Sequence, residues 1–250
     1  MPVRLDAAGT GHRPWTAPTR PWSLAMRWHD LAFLHRPVRP ALLRPHLPRG
    51  LELDTFDGSA WLGSVPFRMS GVRVHGLPAL PGLSAFPEIN LRTYATAGGR
   101  PGVWFFSLDV TSRVAVAVAR AWFHLPYHRA RMALCGEDGR VAYEHERVRD
   151  ARVGFRGRYR GVGEPFRAAP GSLEAFLVER YCLYATDRRG RLLRGDVHHA
   201  PWTLQRAECE VARDTLAAPL GLSEFGGEPL AHFARELDVV AWSLRPVEVG

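Results

Sequence analysis

Polar and apolar side chains alternate in the stretch FPEINLRTY, which begins at Phe86. Successive residues of a β-strand point to opposite faces, so the alternation places four polar side chains on one face. These four are Glu88, Asn90, Arg92 and Tyr94. A carboxyl group, an amide, a guanidinium and a phenol side by side could bind a small polar ligand and exchange protons with it. A face open to water would show the same pattern, because antiparallel sheets often expose one side.

A second polar pair follows an aromatic segment in RAWFHLPYHRARMA, which begins at Arg120. Pro126 interrupts this segment, and Tyr127 and His128 come directly after it. A proline ends a helix and restricts the residue before it, so we expect Tyr127 or His128 to turn into a cavity and meet Glu88. The alternative is a buried polar network that is fully hydrogen-bonded and binds no ligand.

All 33 basic residues are arginine, and the chain contains no lysine. Only a primary amine forms a Schiff base with a carbonyl compound, and a Walker phosphate loop also needs a lysine. Both chemistries are therefore excluded. Pro126 separates His124 from His128, and the adjacent His198 and His199 point to opposite faces of a strand. With no HExxH pattern present, we predict no metal site.

The formal net charge of +8 raises the question of nucleic-acid binding. The arginines are scattered along the chain, so we expect no specific nucleic-acid partner. Three widely spaced cysteines without a CxxC pair predict neither a disulfide framework nor a thiolate metal site. The apolar runs are far shorter than the ~20 residues of a membrane span. We therefore predict a cytoplasmic protein without a membrane partner.

The elements that must position these residues are mostly short β-like runs between turn signals. Two hairpins are predicted, INLRTYAT with GVWFFSLDV and MALC with RVAYEHERV, because Gly-rich turns join each pair. Apolar spacing predicts helices over Ser112–Phe123 and Ser172–Glu179. Residues 1–21 contain four prolines and are predicted to form a loose arm before one domain of residues 22–250. Further strand candidates are Trp28–Phe33, Leu51–Phe56, Ala60–Phe67, RYCLYAT, RLLRGDVHH, CEVAR and DVVAWSL.

The predicted fold class is α+β, mainly antiparallel β. Several segments together resemble the YqjF-like family of uncharacterised bacterial proteins, which is placed with the acetoacetate decarboxylase-like superfamily. The segments are RPVRPALLRPHLPRGLELDTFDGSAWLGSVPFRM, FPEINLRTY, GVWFFSLDV, LPYHRARM, GSLEAFLVERYCLY and VHHAPWTLQ. The resemblance implies a cone-shaped β-barrel with a few flanking helices around a small-molecule cavity. Cavities of this kind typically measure roughly 300 to 1,000 Å³.

In acetoacetate decarboxylases, a lysine that follows a proline forms a Schiff base, and a glutamate on a barrel strand assists it. The resemblance places Tyr127 at that lysine, His128 at its neighbour and Glu88 at the glutamate. A phenol cannot form an imine. The resemblance therefore implies a protein that has kept the cavity and lost the decarboxylase mechanism.

Glu88, Tyr127 and His128 are accordingly the candidate catalytic residues, because a desolvated carboxyl group has a raised pKa and can exchange protons near neutral pH. The candidate ligand-binding residues are Asn90, Arg92, Tyr94, Arg120, Phe67, Phe106 and Trp202. The leading hypothesis is a cofactor-free acid/base enzyme that acts on a small organic acid or carbonyl compound. The alternative is a non-catalytic protein that binds a small molecule. Whether copies of the chain form a homo-oligomer stays open.

Overall fold

The computed structural model describes residues 9–80, 84–113, 116, 123–222 and 227–247. In these ranges the chain forms a single sheet of 13 strands, with two short α-helices, α1 (Pro40–Leu43) and α2 (Leu173–Val178). The strands are β1 (Leu24–Val38), β2 (Glu52–Leu53), β3 (Ala60–Val74), β4 (Phe86–Ala97), β5 (Arg100–Val110), β6 (Tyr127–Glu137), β7 (Arg140–Arg147), β8 (Asp150–Phe166), β9 (Cys182–Thr186), β10 (Leu192–His199), β11 (Leu204–Asp214), β12 (Leu230–Ala241) and β13 (Arg245–Pro246).

Two extra pairings, β4 with β5 and β10 with β12, close this sheet on itself into two rings of paired strands. The small ring runs β4-β5-β9-β10-β12-β1-β3 and back to β4. The large ring runs β4-β5-β6-β7-β8-β11-β12-β1-β3 and also returns to β4. Most pairs are antiparallel, and β5 pairs in parallel with β6 and β9. The predicted mainly antiparallel class is confirmed, and the cone shape stays a prediction.

Both predicted hairpins are confirmed, and their turns explain them. The β4–β5 turn consists of Gly98 and Gly99, with φ of 57° and 68°. The β6–β7 turn consists of Asp138 and Gly139, with φ of 49° and 74°. Two-residue turns in this left-handed region twist in the same sense as the strands they join, and glycine adopts the conformation without strain.

Helix α2 confirms the helix predicted over Ser172–Glu179. The Ser172 hydroxyl accepts a hydrogen bond of 3.2 Å from the Ala175 N–H and so caps the helix start. Most of the other predicted helix, at residues 114–115 and 117–122, lies outside the described residues. The sequence patterns missed β8, the longest strand of the described sheet. Within the described ranges, no helix is long and apolar enough to cross a membrane.

The interior has two parts because the rings share β12, β1, β3, β4 and β5. On β4, Ile89 and Leu91 point into the large ring and join a packed apolar core with Phe155 of β8. The other face of β4 points into the small ring, where Glu88 and Asn90 line a cavity. The alternating side chains of this strand thus point into two different interiors, and neither face of the strand is open to water.

The segment directly before β1 is fixed to β10. Arg13 is 7% exposed, and its guanidinium lies 3.8 Å from the Asp196 carboxylate. The Trp15 indole donates a hydrogen bond of 3.0 Å to the same carboxylate. The prediction of a loose arm through residue 21 is therefore wrong for this part, because buried ionic and aromatic contacts hold it in place.

Candidate functional site

The small ring encloses a cavity of about 150 Å³, and all seven of its strands contribute to the walls. This volume is below the predicted range, because aromatic side chains fill much of the interior. A cavity of about this size holds a benzene-sized molecule. Most of its walls are apolar, and the polar side chains among them include Glu88, Asn90, Arg92, Tyr127 and Arg180.

Glu88 and Tyr127 meet at the cavity wall. The Tyr127 hydroxyl donates a hydrogen bond of 2.9 Å to Oε2 of Glu88. Glu88 is only 3% exposed. Burial raises the pKa of Glu88 to about 8, although hydrogen bonds from Tyr127 and Asn90 oppose this shift. Burial beside this carboxyl also raises the pKa of Tyr127 well above its usual value. Glu88 is therefore the group that titrates near neutral pH.

Local strand geometry explains this meeting. Tyr127 is the first residue of β6 and pairs in parallel with Leu108 of β5, which lines the cavity. Paired residues on neighbouring strands point to the same face, so Tyr127 points to the cavity as well. Pro126 lies directly before it and cannot donate a ladder hydrogen bond, which agrees with its place just outside the strand.

His128 lies on the opposite face. It pairs with Asp109, and that carboxylate is buried in the large ring beside His145 and Arg147. Because neighbours on a strand point in opposite directions, Tyr127 and His128 cannot both line the cavity. His128 is not among the cavity-lining residues, and the predicted role of His128 in this site is corrected accordingly.

Arg92 and Asn90 present unmatched polar atoms in this cavity. Arg92 is 8% exposed, and one terminal nitrogen donates a long hydrogen bond of 3.3 Å to the Leu177 carbonyl oxygen. Among the described residues, its Nε atom and Oδ1 of Asn90 are buried without a hydrogen-bond partner. No described carboxylate forms an ion pair with Arg92. An anionic ligand would supply the missing partner.

Tyr94 shares the face of Arg92 and lies beyond the cavity. Its hydroxyl lies 2.6 Å from Nε2 of His35, and its ring contacts the guanidinium of Arg180. Tyr94 is fully buried in the apolar core and is not a lining residue. The predicted face is right, and the predicted ligand contact is corrected.

Phe67 and Trp202 line the cavity, whereas Phe106 does not. The register between β4 and β5 shifts at Phe106, where Leu91 pairs with Ser107 and Arg92 pairs with Phe105. This β-bulge inserts one extra residue and reverses the alternation on one side of it. Phe105 therefore lines the cavity in place of Phe106. Arg120 lies outside the described residues.

Arg180, His199 and Trp28 also line the cavity. Arg180 is already paired, because it donates a hydrogen bond of 2.7 Å to Asp54. Burial lowers the pKa of His199 to about 4, so this histidine is neutral near pH 7. Sequence reasoning assigned no role to Trp28, and its only signal was membership of a strand rich in aromatic residues.

The arrangement combines a titratable carboxyl group, a phenol and an arginine without a described carboxylate partner in a largely apolar space. Such a site can hold an anionic group and exchange a proton with a neighbouring atom. Within the described ranges, no three histidine, cysteine or acidic side chains converge in a way that would hold a metal ion.

Comparisons with known proteins agree with this fold. Among solved structures, the enduracididine biosynthesis enzyme MppR in complex with pyruvate has a TM-score of 0.63 at 16% identity, with 93% of each chain covered. The acetoacetate decarboxylase of Legionella pneumophila subsp. pneumophila str. Philadelphia 1 has a TM-score of 0.63 at 14% identity, with 94% of this chain and 92% of that chain covered. Likeness at these identities shows the acetoacetate decarboxylase-like fold.

Sequence comparison shows the family. The uncharacterized protein YqjF of Bacillus subtilis (strain 168) is 43% identical over 224 residues, which cover 90% of this chain and 92% of that protein. The family DUF2071, described as an uncharacterized conserved protein, matches residues 25–238. The predicted resemblance is confirmed, and the chain belongs to the DUF2071 family.

Proposed function

We propose that this protein is an enzyme that transfers a proton at the carbon beside a carbonyl group of a small organic acid. The observation that carries this proposal is the hydrogen bond of 2.9 Å between the Tyr127 hydroxyl and the buried Glu88 carboxylate at the cavity wall. An acid/base pair in a cavity with apolar walls suits proton exchange with carbon, because little water competes for the proton.

Arg92 supports an anionic substrate. A buried guanidinium without a carboxylate partner is costly, and a substrate carboxylate would accept two parallel hydrogen bonds from it. Arg92 and Glu88 lie four residues apart on the same face of β4, so their Cα atoms are separated by ~13 Å. The two side chains thus reach different parts of one ligand.

The absence of lysine supports a mechanism without an imine. Tyr127 stands where the family resemblance places the amine that forms the Schiff base. Its phenol forms no imine, and the hydrogen bond to Glu88 directs its hydroxyl at a carboxylate. The chemistry left to this pair is proton transfer.

The proposed step uses the ionised form of Glu88. Its carboxylate takes a proton from the carbon next to the carbonyl, and the electron pair of the broken C–H bond moves toward the carbonyl oxygen. The protonated Glu88 then returns a proton to the substrate, and Tyr127 stabilises the charge of the carboxylate. A pKa of about 8 keeps both forms of Glu88 available in mildly alkaline solution.

Deuterium exchange tests this step without knowledge of the natural substrate. The protein should accelerate the exchange of the hydrogens on carbon 3 of 2-oxobutyrate in D₂O, as followed by proton NMR. Glu88→Gln nearly preserves the side-chain shape and should reduce the acceleration by about 10²- to 10⁴-fold. The matched control is Glu208→Gln, since the Glu208 side chain is 56% exposed and does not line the cavity.

Equal exchange by the wild type and Glu88→Gln would contradict the proposal. Binding of 2-oxobutyrate without any accelerated exchange would instead favour a non-catalytic binding protein, for which the apolar cavity also suffices.

A further inference from the structure

Two tryptophans in the wall of this cavity have unmatched donors. The indole Nε1 atoms of Trp28 and Trp202 are buried and lack a hydrogen-bond partner among the described residues. Both rings line the cavity. A buried indole N–H normally finds an acceptor, since leaving it unmatched costs the hydrogen bond it makes to water in the unfolded chain.

The two rings are held in a defined arrangement. Their centroids lie 6.0 Å apart at an interplanar angle of 20°, so the indoles are stacked. Phe33 packs edge-on against Trp202 at 4.9 Å, and Phe67 packs edge-on against Trp28 at 5.5 Å. The backbone N–H of Trp202 also donates a hydrogen bond of 2.9 Å to Glu179. Packing therefore holds both rings, and with them both donors, in fixed positions in the cavity wall.

Neighbouring phenylalanines relate the two indoles to Glu88 and to Arg92. Phe67, which contacts Trp28, pairs across the sheet with Glu88. Phe33 contacts Trp202, and the guanidinium of Arg92 lies 5.3 Å from the centroid of the Phe33 ring. One phenylalanine therefore separates Trp28 from the strand position of Glu88, and one separates Trp202 from Arg92.

Indole chemistry limits what the two tryptophans can hold. An indole N–H donates a hydrogen bond, accepts none and does not titrate in the physiological range. It is neutral, so it suits an oxygen that carries no full charge in the bound substrate and gains negative charge during the reaction. Arg92 is the better partner for a carboxylate, which is charged throughout.

We propose that Trp28 and Trp202 form the subsite for the carbonyl oxygen of the substrate. This inference rests on the proposed function. As Glu88 removes the proton from carbon, the C–H electron pair forms a carbon–carbon double bond and the carbonyl π pair moves onto the oxygen. The two indole N–H groups donate hydrogen bonds to that oxygen and stabilise the enolate.

Substitution by phenylalanine tests the subsite, because it removes the N–H and keeps an aromatic ring. Trp28→Phe and Trp202→Phe should each slow deuterium exchange of 2-oxobutyrate by about 10²- to 10³-fold, mainly in kcat. Binding of butyrate, which lacks the keto oxygen, should change less than about threefold, because butyrate offers the indoles no carbonyl oxygen. The matched control is Trp61→Phe, since Nε1 of Trp61 is also buried and unmatched but its ring does not line the cavity.

Exchange rates in Trp28→Phe and Trp202→Phe equal to those of Trp61→Phe would overturn the subsite. An equal loss of butyrate and 2-oxobutyrate binding would also overturn it, because the rings would then act only through packing. The proposed function fails separately, when Glu88→Gln exchanges as fast as the wild type. In that case the ratio of 2-oxobutyrate affinity to butyrate affinity still tests the subsite. Trp28→Phe and Trp202→Phe should lower this ratio, and Trp61→Phe should leave it unchanged.

Discussion

The two rings bury charged side chains in opposite ways. In the large ring, Asp109 accepts two hydrogen bonds of 2.9 Å from Arg147 and one of 2.7 Å from His145. In the small ring, Arg92 has no carboxylate partner among the described residues, and Glu88 receives a single phenol hydrogen bond from outside its own strand. The buried carboxylate of the large ring is thus paired with a cation, whereas the described residues of the small ring leave Arg92 without a carboxylate partner.

The carboxyl groups show the consequence. Burial alone raises the pKa of both, but for Asp109 the hydrogen bonds from His145 and Arg147 outweigh burial and lower the pKa below its usual value. No described cation forms an ion pair with Glu88, and its pKa is raised to about 8. Similar burial thus accompanies a lowered pKa in one ring and a raised pKa in the other. Buried polar groups without a hydrogen-bond or ion-pair partner reduce stability. Proteins retain such groups where a bound ligand supplies the missing partner.

The largest expected difference between the rings is in stability. Arg147→Met leaves Asp109 buried with only His145, and should lower the free energy of unfolding by about 3–5 kcal/mol. Arg92→Met removes a buried cation that has no carboxylate partner in the described part of the chain, and should leave this free energy within about 1 kcal/mol of the wild type or raise it. Urea denaturation measures both. Equal losses in the two variants would show that interactions of Arg92 in the folded protein stabilise it as strongly as Asp109 stabilises Arg147.

The dependence of stability on pH should separate the two carboxylates. The folded pKa of Glu88, about 8, lies above its usual value of 4.5, so between these values the folded protein binds one proton more than the unfolded chain. Stability from this group is complete below pH 4.5 and falls by about 1.4 kcal/mol per pH unit as the pH rises toward 8.

Asp109 acts in the opposite direction. Its lowered pKa contributes stability above its usual value of 3.8, and that stability is lost as the pH falls below it. Urea denaturation across pH 5 to 8 should show that Glu88→Gln flattens the decline of stability in this range. An unchanged slope in Glu88→Gln would mean that Glu88 is already ionised in the folded protein.

The smallest expected effect concerns the phenol. The hydrogen bond from Tyr127 lowers the pKa of Glu88, so Tyr127→Phe should move the midpoint of the Glu88 titration upward by about one pH unit. Tyr143→Phe is the matched control in the large ring, where the Tyr143 hydroxyl lies 3.5 Å from the Phe67 carbonyl oxygen. Carbon NMR of the Glu88 carboxyl group measures the midpoint. A downward shift, or the same shift in both variants, would contradict a direct role of Tyr127.

Alternation in FPEINLRTY was sufficient to place Glu88, Asn90 and Arg92 on one face, because side-chain direction in a strand depends only on the local backbone. The two hairpins were predictable for the same reason, since Gly98-Gly99 and Asp138-Gly139 encode their turns locally. The strand β8 was missed, because arginines and glycines interrupt its apolar positions and make it resemble a solvent-exposed loop.

Tertiary structure reversed the predictions that depended on pairing. Period-2 reasoning put Phe106 on the cavity side, but the β-bulge between β4 and β5 exchanged it for Phe105. A bulge is set by how two strands twist against each other, which neither strand encodes alone. His128 lost its predicted place for a related reason, since its pairing with Asp109 directs it into the large ring.

The sequence by itself determined the class of the fold, the polar face of β4 and the exclusion of Schiff-base chemistry, because composition and local periodicity carry that information. Only the tertiary structure decided that this face points into a small cavity, that Tyr127 meets Glu88 there and that Trp28 lines the same cavity. These contacts connect β1, β4 and β6, and they depend on pairings between strands that are distant in the sequence, β5 with β9 and β10 with β12. Long-range pairings of this kind depend on how the whole chain packs, and no local pattern of residues specifies them.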